Sequence, residues 1–343
     1  MESANELNVT DRTRLLEQWL QTVLNGQPIA IKALPGDASF RRYFRITAGA
    51  DSFIAMDAAP PQENCRPFVA IAQALRNINL SAPEIIAANV EMGFLLLTDF
   101  GDQTYLKALT SQNADQCYVR ALSALAVLQS CKEVEGLTVP PFTFVFMQQE
   151  WAWHKEWFLE KLLNLNFTAE EAALDQCFNV IATSAVNQPQ VFMHRDYHSA
   201  NLMLLPNNEV GILDFQDAFM GPVTYDLVSL LRDCYIDWPA EQVEAWAFSY
   251  LQKLQAQNLL TDVDKQTFLR WFDLMGLERH LKALFTFARK HVRDQQPQYL
   301  KHIPRTLNYI ITVSQSYPAL APLHQFMRDK VQPEIEKVLT CAQ

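Results

Sequence analysis

The sequence predicts an α+β chain of two lobes: a small antiparallel β-sheet lobe over residues 1–99 and a large, mostly α-helical lobe over residues 100–343. Three observations carry this. Five short extended runs crowd into about 70 residues after Ile29. Beyond Gly101 apolar residues recur at helical spacing almost throughout. A single strand-rich segment, Phe192–Asp217, interrupts that helical half. At 343 residues, with 49% hydrophobic and 19% charged residues and only 9 Gly, the chain reads as compact and helix-rich, long enough to bury a sizeable core.

Thr10 or Asp11 is placed to cap an amphipathic helix to about Leu24, with Leu15, Leu16, Trp19, Leu20 and Leu24 on one face. Extended runs follow at 28–34, 40–47 and 52–58, the last ended by Pro60-Pro61. A helix is expected over about 62–77, then strands at 84–90 and 94–100 around the turn Glu91-Met92-Gly93. Helices are expected near 113–131, 145–165, 168–187, 222–234, 239–257, 264–291 and 299–314. There is no internal repeat.

Composition excludes several classes. With 28 Lys and Arg against 38 Asp and Glu, the net charge of −10 argues against nucleic acid as a partner. The six Cys are scattered, without Cys-x-x-Cys or a Cys/His cluster, which argues against structural zinc and for reduced thiols. The N-terminus lacks a basic start before an apolar run, and no apolar stretch is long enough to span a bilayer. A cytoplasmic monomer with no membrane partner is expected.

The chemistry is written in Phe192–Asp217, FMHRDYHSANLMLLPNNEVGILDFQD. An apolar extended run delivers His194-Arg195-Asp196, Asn201 follows five residues later, and a hairpin turning at Pro206-Asn207-Asn208 returns Asp214 beside Asn201. The spacing H-R-D-x-x-x-x-N followed by a D-F segment suits phosphoryl transfer to a hydroxyl. One carboxylate, Asp196, orients the hydroxyl and accepts its proton, while Asn201 and Asp214 hold Mg²⁺ against nucleotide phosphates. Asp99-Phe100-Gly101 spells the metal motif literally, but it lies ahead of His194 where the metal carboxylate must follow it. Its position suits a hinge whose backbone (Thr98, Asp99, Phe100) can meet an adenine edge, with the Asp99 side chain structural.

Pro35–Phe40 sits where a phosphate-covering loop belongs, though its single Gly fits neither a G-x-G-x-x-G nor a Walker A loop. Ser39 and backbone N–H groups are candidates to cradle phosphates, with Arg42 and Arg45 adding charge. The alternative is arginines on a solvated strand face.

HRDYHSAN with LDFQDAFMGPVTYDLVSLLRD resembles the aminoglycoside phosphotransferase and choline-kinase-like family, which implies a bilobal protein-kinase-like fold and use of ATP and Mg²⁺. DASFRRYFR, MDAAPPQENCRPF, GFLLLTDFG and MGLERHLKALFTFARKHVRD are similar to a narrower branch, the bacterial anomeric kinases for N-acetylmuramate and N-acetylglucosamine. That branch implies phosphorylation of a C1 hydroxyl in peptidoglycan recycling, with an amino sugar as the small-molecule partner. It also implies that Asp226 buttresses the catalytic loop. The third strand departs from the wider pattern, with Met56 or Asp57 where a nucleotide-pairing Lys is expected. Either Asp57 faces Arg66 in a pair of swapped polarity, or it is a plain strand-end residue.

Polar candidates for the acceptor are His198, Gln216, Asp217, Arg232 and the cluster Glu278, Arg279, His280 and Lys282; Arg279 and His280 face the substrate or lie elsewhere with equal weight. Glu278 and Lys282, four apart, read as a solvated salt bridge. Other small alcohols, such as an aminoglycoside or choline, remain open as acceptors, and so does a noncatalytic nucleotide-binding module.

Overall fold

In the computed structural model, which describes residues 9–35 and 41–341, helix α1 spans Val9–Val23. It begins ahead of both residues expected to cap it. Five strands follow with one helix among them: β1 (Ile29–Ala33), β2 (Arg42–Ala48), β3 (Asp51–Asp57), α2 (Arg66–Asn77), β4 (Ile85–Asn89) and β5 (Phe94–Thr98). They form one antiparallel sheet in the order β1-β2-β3-β5-β4. Strand side chains alternate faces, so Phe44 and Ile46 of β2, Ala55 of β3 and Phe94 and Leu96 of β5 gather on one side. Leu16 and Leu20, one helical turn apart on α1, complete that core, and each contributes about 1.5–3 kcal/mol by its burial. Gly93 closes the β4–β5 turn with φ of 74°, and a Cβ there would stand 2.0 Å from the carbonyl oxygen of Ala58. Only glycine fits.

This sheet belongs to a unit that reaches Asp102 and includes Glu135–Leu137; the second unit comprises Gln103–Val134 and the chain from Thr138 onward. The second unit runs through α3 (Tyr105–Ala108), α4 (Ala114–Leu128) and α5 (Phe144–Trp153), which continues as a π-helix over His154–Leu162. After α6 (Glu171–Val186) come β6 (Gln190–Met193), β7 (Leu202–Leu204), β8 (Val210–Ile212) and β9 (Phe219–Pro222). Then follow α7 (Tyr225–Leu231), α8 (Ala240–Ala256), α9 (Lys265–Val292), a 3₁₀ turn, α10 (Ile303–Gln315), α11 (Ala321–Phe326), a π segment and α12 (Gln332–Cys341). Asp264 caps α9 by accepting from Thr267 N at 2.7 Å.

Two features differ from expectation. The strand-rich segment is expected to end at Asp217 and a helix to start near 222, yet β9 lies between them and pairs antiparallel with β6, Phe192 opposite Met220. The helices beyond residue 314 were not anticipated, because Pro318, Pro322 and Pro333 look like breakers. In fact Pro318 and Pro322 lie in first turns, where a missing N–H costs nothing, and Pro333 follows directly on the π segment Met327–Val331, within helix that continues unbroken into α12.

Candidate active site

β7 and β8 pair antiparallel, Leu202 opposite Ile212, around the turn in which Asn208 has φ of 63°. This is the expected hairpin. Leu213 N donates to Asn201 O at 3.0 Å, which brings the Asp214 side chain to Asn201. Asn201 Nδ2 donates to Asp196 O at 3.0 Å and reaches Asp214 Oδ2 at 3.3 Å. All three predicted chemical residues therefore meet within the second unit.

The loop that carries them is held by buried acids. Asp226 accepts the backbone N–H of His194 at 2.7 Å and of Arg195 at 2.9 Å. Both N–H groups point one way because Arg195 adopts φ of 79°, a left-handed conformation the two bonds must hold. Asp226 is thus the buttress the resemblance implies. Burial pushes its carboxyl up to about 7, against the pull of the two N–H donors. Asp233, buried at the end of the helix α7 segment, accepts Ser199 N at 2.9 Å and Ser199 Oγ at 2.5 Å. His194 is buried and neutral, burial lowering its pKa against the charges of Asp214 and Asp196. Its Nε2–H donates to Leu213 O at 2.8 Å and its Nδ1 accepts Asp196 N at 3.3 Å, which defines the tautomer.

Lys282 Nζ donates to Asp196 Oδ1 at 2.8 Å. The expected solvated pair of Glu278 with Lys282 does not form. Glu278 is 1% exposed, and burial followed by the charge of Glu150 holds its carboxyl well above the usual range. Glu150, buried as well, accepts from Arg195 Nη2 at 3.2 Å. For Asp196 burial alone acts upward, but Lys282, His198 and Arg279 outweigh it and hold the carboxyl well below its ordinary value. Asp196 is therefore ionised at neutral pH.

The remaining candidates separate. Gln216 holds Asp214, its Nε2 donating to Asp214 Oδ1 at 2.8 Å and to Asp217 Oδ2 at 3.2 Å. Asp214 and Asp217 are exposed. His198 is buried beside the base, its ring edge-on to Tyr235. Arg232 pairs with Asp273 at 2.6 Å. His280 turns into the helix packing, stacked on Tyr309 and donating Nε2–H to Arg232 O at 3.0 Å, with burial lowering its pKa to about 3. Arg279 is buried.

In the first unit, Ser39 lies outside the described residues. Arg42 Nη2 donates to Asp57 Oδ2 at 2.5 Å, and Arg12 Nε donates to Asp57 Oδ1 at 2.9 Å. Arg66 is 66% exposed and pairs with Glu91, which corrects the Asp57–Arg66 expectation. Arg45 Nε donates to Asp99 Oδ2 at 2.7 Å and its Nη1 to Asp102 at 3.0 Å. Asp99 also accepts from Ser52 Oγ at 2.6 Å and Gly101 N at 2.8 Å, so its side chain is structural. Thr98 Oγ1 accepts Glu84 N at 3.0 Å, and Phe100 is half-buried.

Sequence reasoning missed Lys282 as the partner of the base, and missed Glu150 and Asp233. The signal for Lys282 was its spacing: Met275, Arg279, Lys282 and Thr286 recur at helical intervals of three and four, on a helix whose opposite residues are apolar.

The model of the phosphotransferase enzyme family matches residues 30–260. A protein from Pseudomonas putida named N-acetylmuramate/N-acetylglucosamine kinase is 40% identical over 93% of this chain and 96% of its own. One of the same name from Pseudomonas aeruginosa is 40% identical over 88% of each chain. Among solved structures, an ethanolamine kinase from Plasmodium vivax superposes with a TM-score of 0.64 at 12% identity, over 95% of this chain and 92% of that one. The resemblance and the kinase-like fold read from the motifs are borne out.

Proposed function

The chain belongs to the phosphotransferase enzyme family, and from that membership we propose that it is an ATP-dependent sugar kinase acting on the anomeric C1 hydroxyl of N-acetylmuramate and N-acetylglucosamine, in peptidoglycan recycling. One observation carries the choice of acceptor: the relative from Pseudomonas putida that bears this name is 40% identical over 93% of the chain. The geometry around Asp196 supports the reaction type.

Asp196, ionised beside Lys282, orients the acceptor hydroxyl and takes its proton from within roughly 2.6–3.2 Å. Asn201 commits its Nδ2 to the Asp196 carbonyl, which leaves Oδ1 as its ligand atom beside the exposed Asp214 carboxylate. No group of three His, Cys, Asp or Glu side chains is placed to hold a metal among the described residues. A pair of hard oxygens without a full protein cage suits Mg²⁺, which keeps water and takes phosphate oxygens, and does not suit zinc. Asn201 and Asp214 would hold it, and bound there with ATP it offsets the charge that develops on the transferring phosphoryl group. Arg42 and Arg45 are neutralised by Asp57, Asp99 and Asp102, so the cationic help expected of them falls to the metal. The backbone at 98–100 and the loop bearing Ser39 are the proposed nucleotide contacts.

The test is incubation with ATP, Mg²⁺ and a panel of both amino sugars, aminoglycosides and choline, followed by phosphorus NMR. A phosphate coupled to the sugar C1 proton is expected. A product on another hydroxyl, or turnover of choline or an aminoglycoside alone, rejects the reading.

A further inference from the structure

Arg279 is the anomaly of the second unit. Its side chain is buried, 4% exposed, in the middle of α9. The Nη1 group donates to Cys234 Sγ at 3.5 Å, Nε has no partner, and no carboxylate pairs with it among the described residues. Three cations of the same region are matched by carboxylates, Arg195 by Glu150, Arg232 by Asp273 and Lys282 by Asp196, while Arg305 donates to the Cys234 carbonyl at 3.3 Å. Neither oxygen of the adjacent Glu278 carboxyl bonds the guanidinium, and burial followed by Glu150 holds that carboxyl well above its usual range. A buried guanidinium without a carboxylate at bonding distance is costly, and arginines are almost never fully buried unless paired.

The direction of that partner follows from the helix. Arg279 precedes Lys282 by one turn on α9, and Lys282 holds the base. Its Nη1 contact, Cys234, follows Asp233 in the chain, and the Asp233 carboxylate holds Ser199 of the loop that carries the base. An arriving oxyanion would therefore sit on the acceptor's side of Asp196. Of the two acceptors in the proposed function, on which this step rests, N-acetylmuramate alone carries a carboxylate, on its lactyl ether. We propose that Arg279 is the receptor for the carboxylate of an acidic amino-sugar acceptor, engaging it through charge-assisted and geometrically bidentate hydrogen bonds. Arg279 thereby sets the preference between acidic and neutral sugars, while Asp196 serves both.

The test compares N-acetylmuramate, its lactyl amide and N-acetylglucosamine by calorimetric binding to the full chain, wild type and Arg279→Gln, with steady-state kinetics alongside. Wild type is expected to bind the acid about 10–100-fold more tightly than the amide, the range for hydrogen bonds to charged groups. In R279Q that ratio falls to about one, N-acetylglucosamine affinity changes by less than about threefold, and Arg279→Lys recovers part of the ratio. Equal weakening toward all three ligands overturns the proposal, as does a raised KM for ATP with the acid-to-amide ratio intact, which assigns Arg279 to the phosphate. Should R279Q fail to fold by circular dichroism, wild type still decides, because equal binding of acid and amide overturns the proposal. A wild type that turns over neither sugar but still discriminates acid from amide discards the kinase reading and leaves this inference standing.

Discussion

Lys282 Nζ rests 2.8 Å from Asp196 Oδ1, tying the middle of α9 to the carboxylate proposed as the base. The bond fixes the carboxylate's orientation and keeps it ionised. It also fills one of the two oxygens, so the acceptor hydroxyl is directed to the other. Asp196→Asn keeps the shape and the bond from Asn201 to the backbone carbonyl but cannot take a proton. The variant is expected to keep its fold and lose on the order of 10²–10⁴ in kcat. Near-wild-type turnover in that variant would remove Asp196 from the base role.

Removing the cation acts on the same carboxylate in a measurable way. Lys282 is the strongest of the charges that lower the Asp196 pKa against the opposing effect of burial. Lys282→Met therefore raises that pKa, and the acid limb of the kcat–pH profile moves to higher pH. Lys282→Arg, which retains a cation, is expected to leave the limb near its wild-type position. An unmoved acid limb in Lys282→Met means the pair has no influence on the base.

Asp57 occupies the place of an expected lysine and is 1% exposed, clamped by Arg12 from α1 and Arg42 from β2. Asp57→Ala leaves two partly buried guanidinium groups without their carboxylate, at a cost of about 3–5 kcal/mol. Arg66→Glu breaks only an exposed pair with Glu91, worth about 0–1 kcal/mol, and is expected to leave stability and nucleotide affinity nearly unchanged. Urea denaturation of the two variants separates them; comparable losses would mean that the clamp is unimportant.

The residues that were legible in the sequence share one property: their partners are close along the chain. Asp196, Asn201 and Asp214 are fixed by a strand, a loop and a hairpin within one segment, and strand patterning placed all five strands of the first sheet. The partners that escaped are distant. Arg12 reaches Asp57 across 45 residues, and Lys282 reaches Asp196 across 86. The i,i+4 rule that paired Glu278 with Lys282 presumes a helix face in water, whereas α9 is buried on both sides of that pair. His280 was undecided for the same reason, since periodicity alone cannot tell a helix–helix contact from a ligand-facing one.

Two histidines couple this packing to pH. His154 is buried where the π-helix meets α9, and its Nδ1–H donates to Leu281 O at 2.9 Å; burial lowers its pKa to about 4. His280 is lowered to about 3, also chiefly by burial. Both are neutral in the folded chain near pH 7, while in the unfolded chain they titrate near 6.5. At these two rings the unfolded state therefore binds more protons than the folded state below about pH 6.5, and their contribution to stability falls as pH falls. The loss begins at the unfolded pKa and continues until the folded values are passed. Each histidine contributes a slope of about 1.4 kcal/mol per pH unit once its unfolded form is charged, while Asp226 and Glu278, whose carboxyl pKa values are raised in the fold, contribute in the opposite sense over the same range. Urea denaturation of wild type and His154→Gln at pH 7.5 and 5.0 isolates one ring, and the variant is expected to lose less stability than wild type on going to pH 5.0. An equal loss in the two proteins would mean that this ring is not held neutral inside the fold.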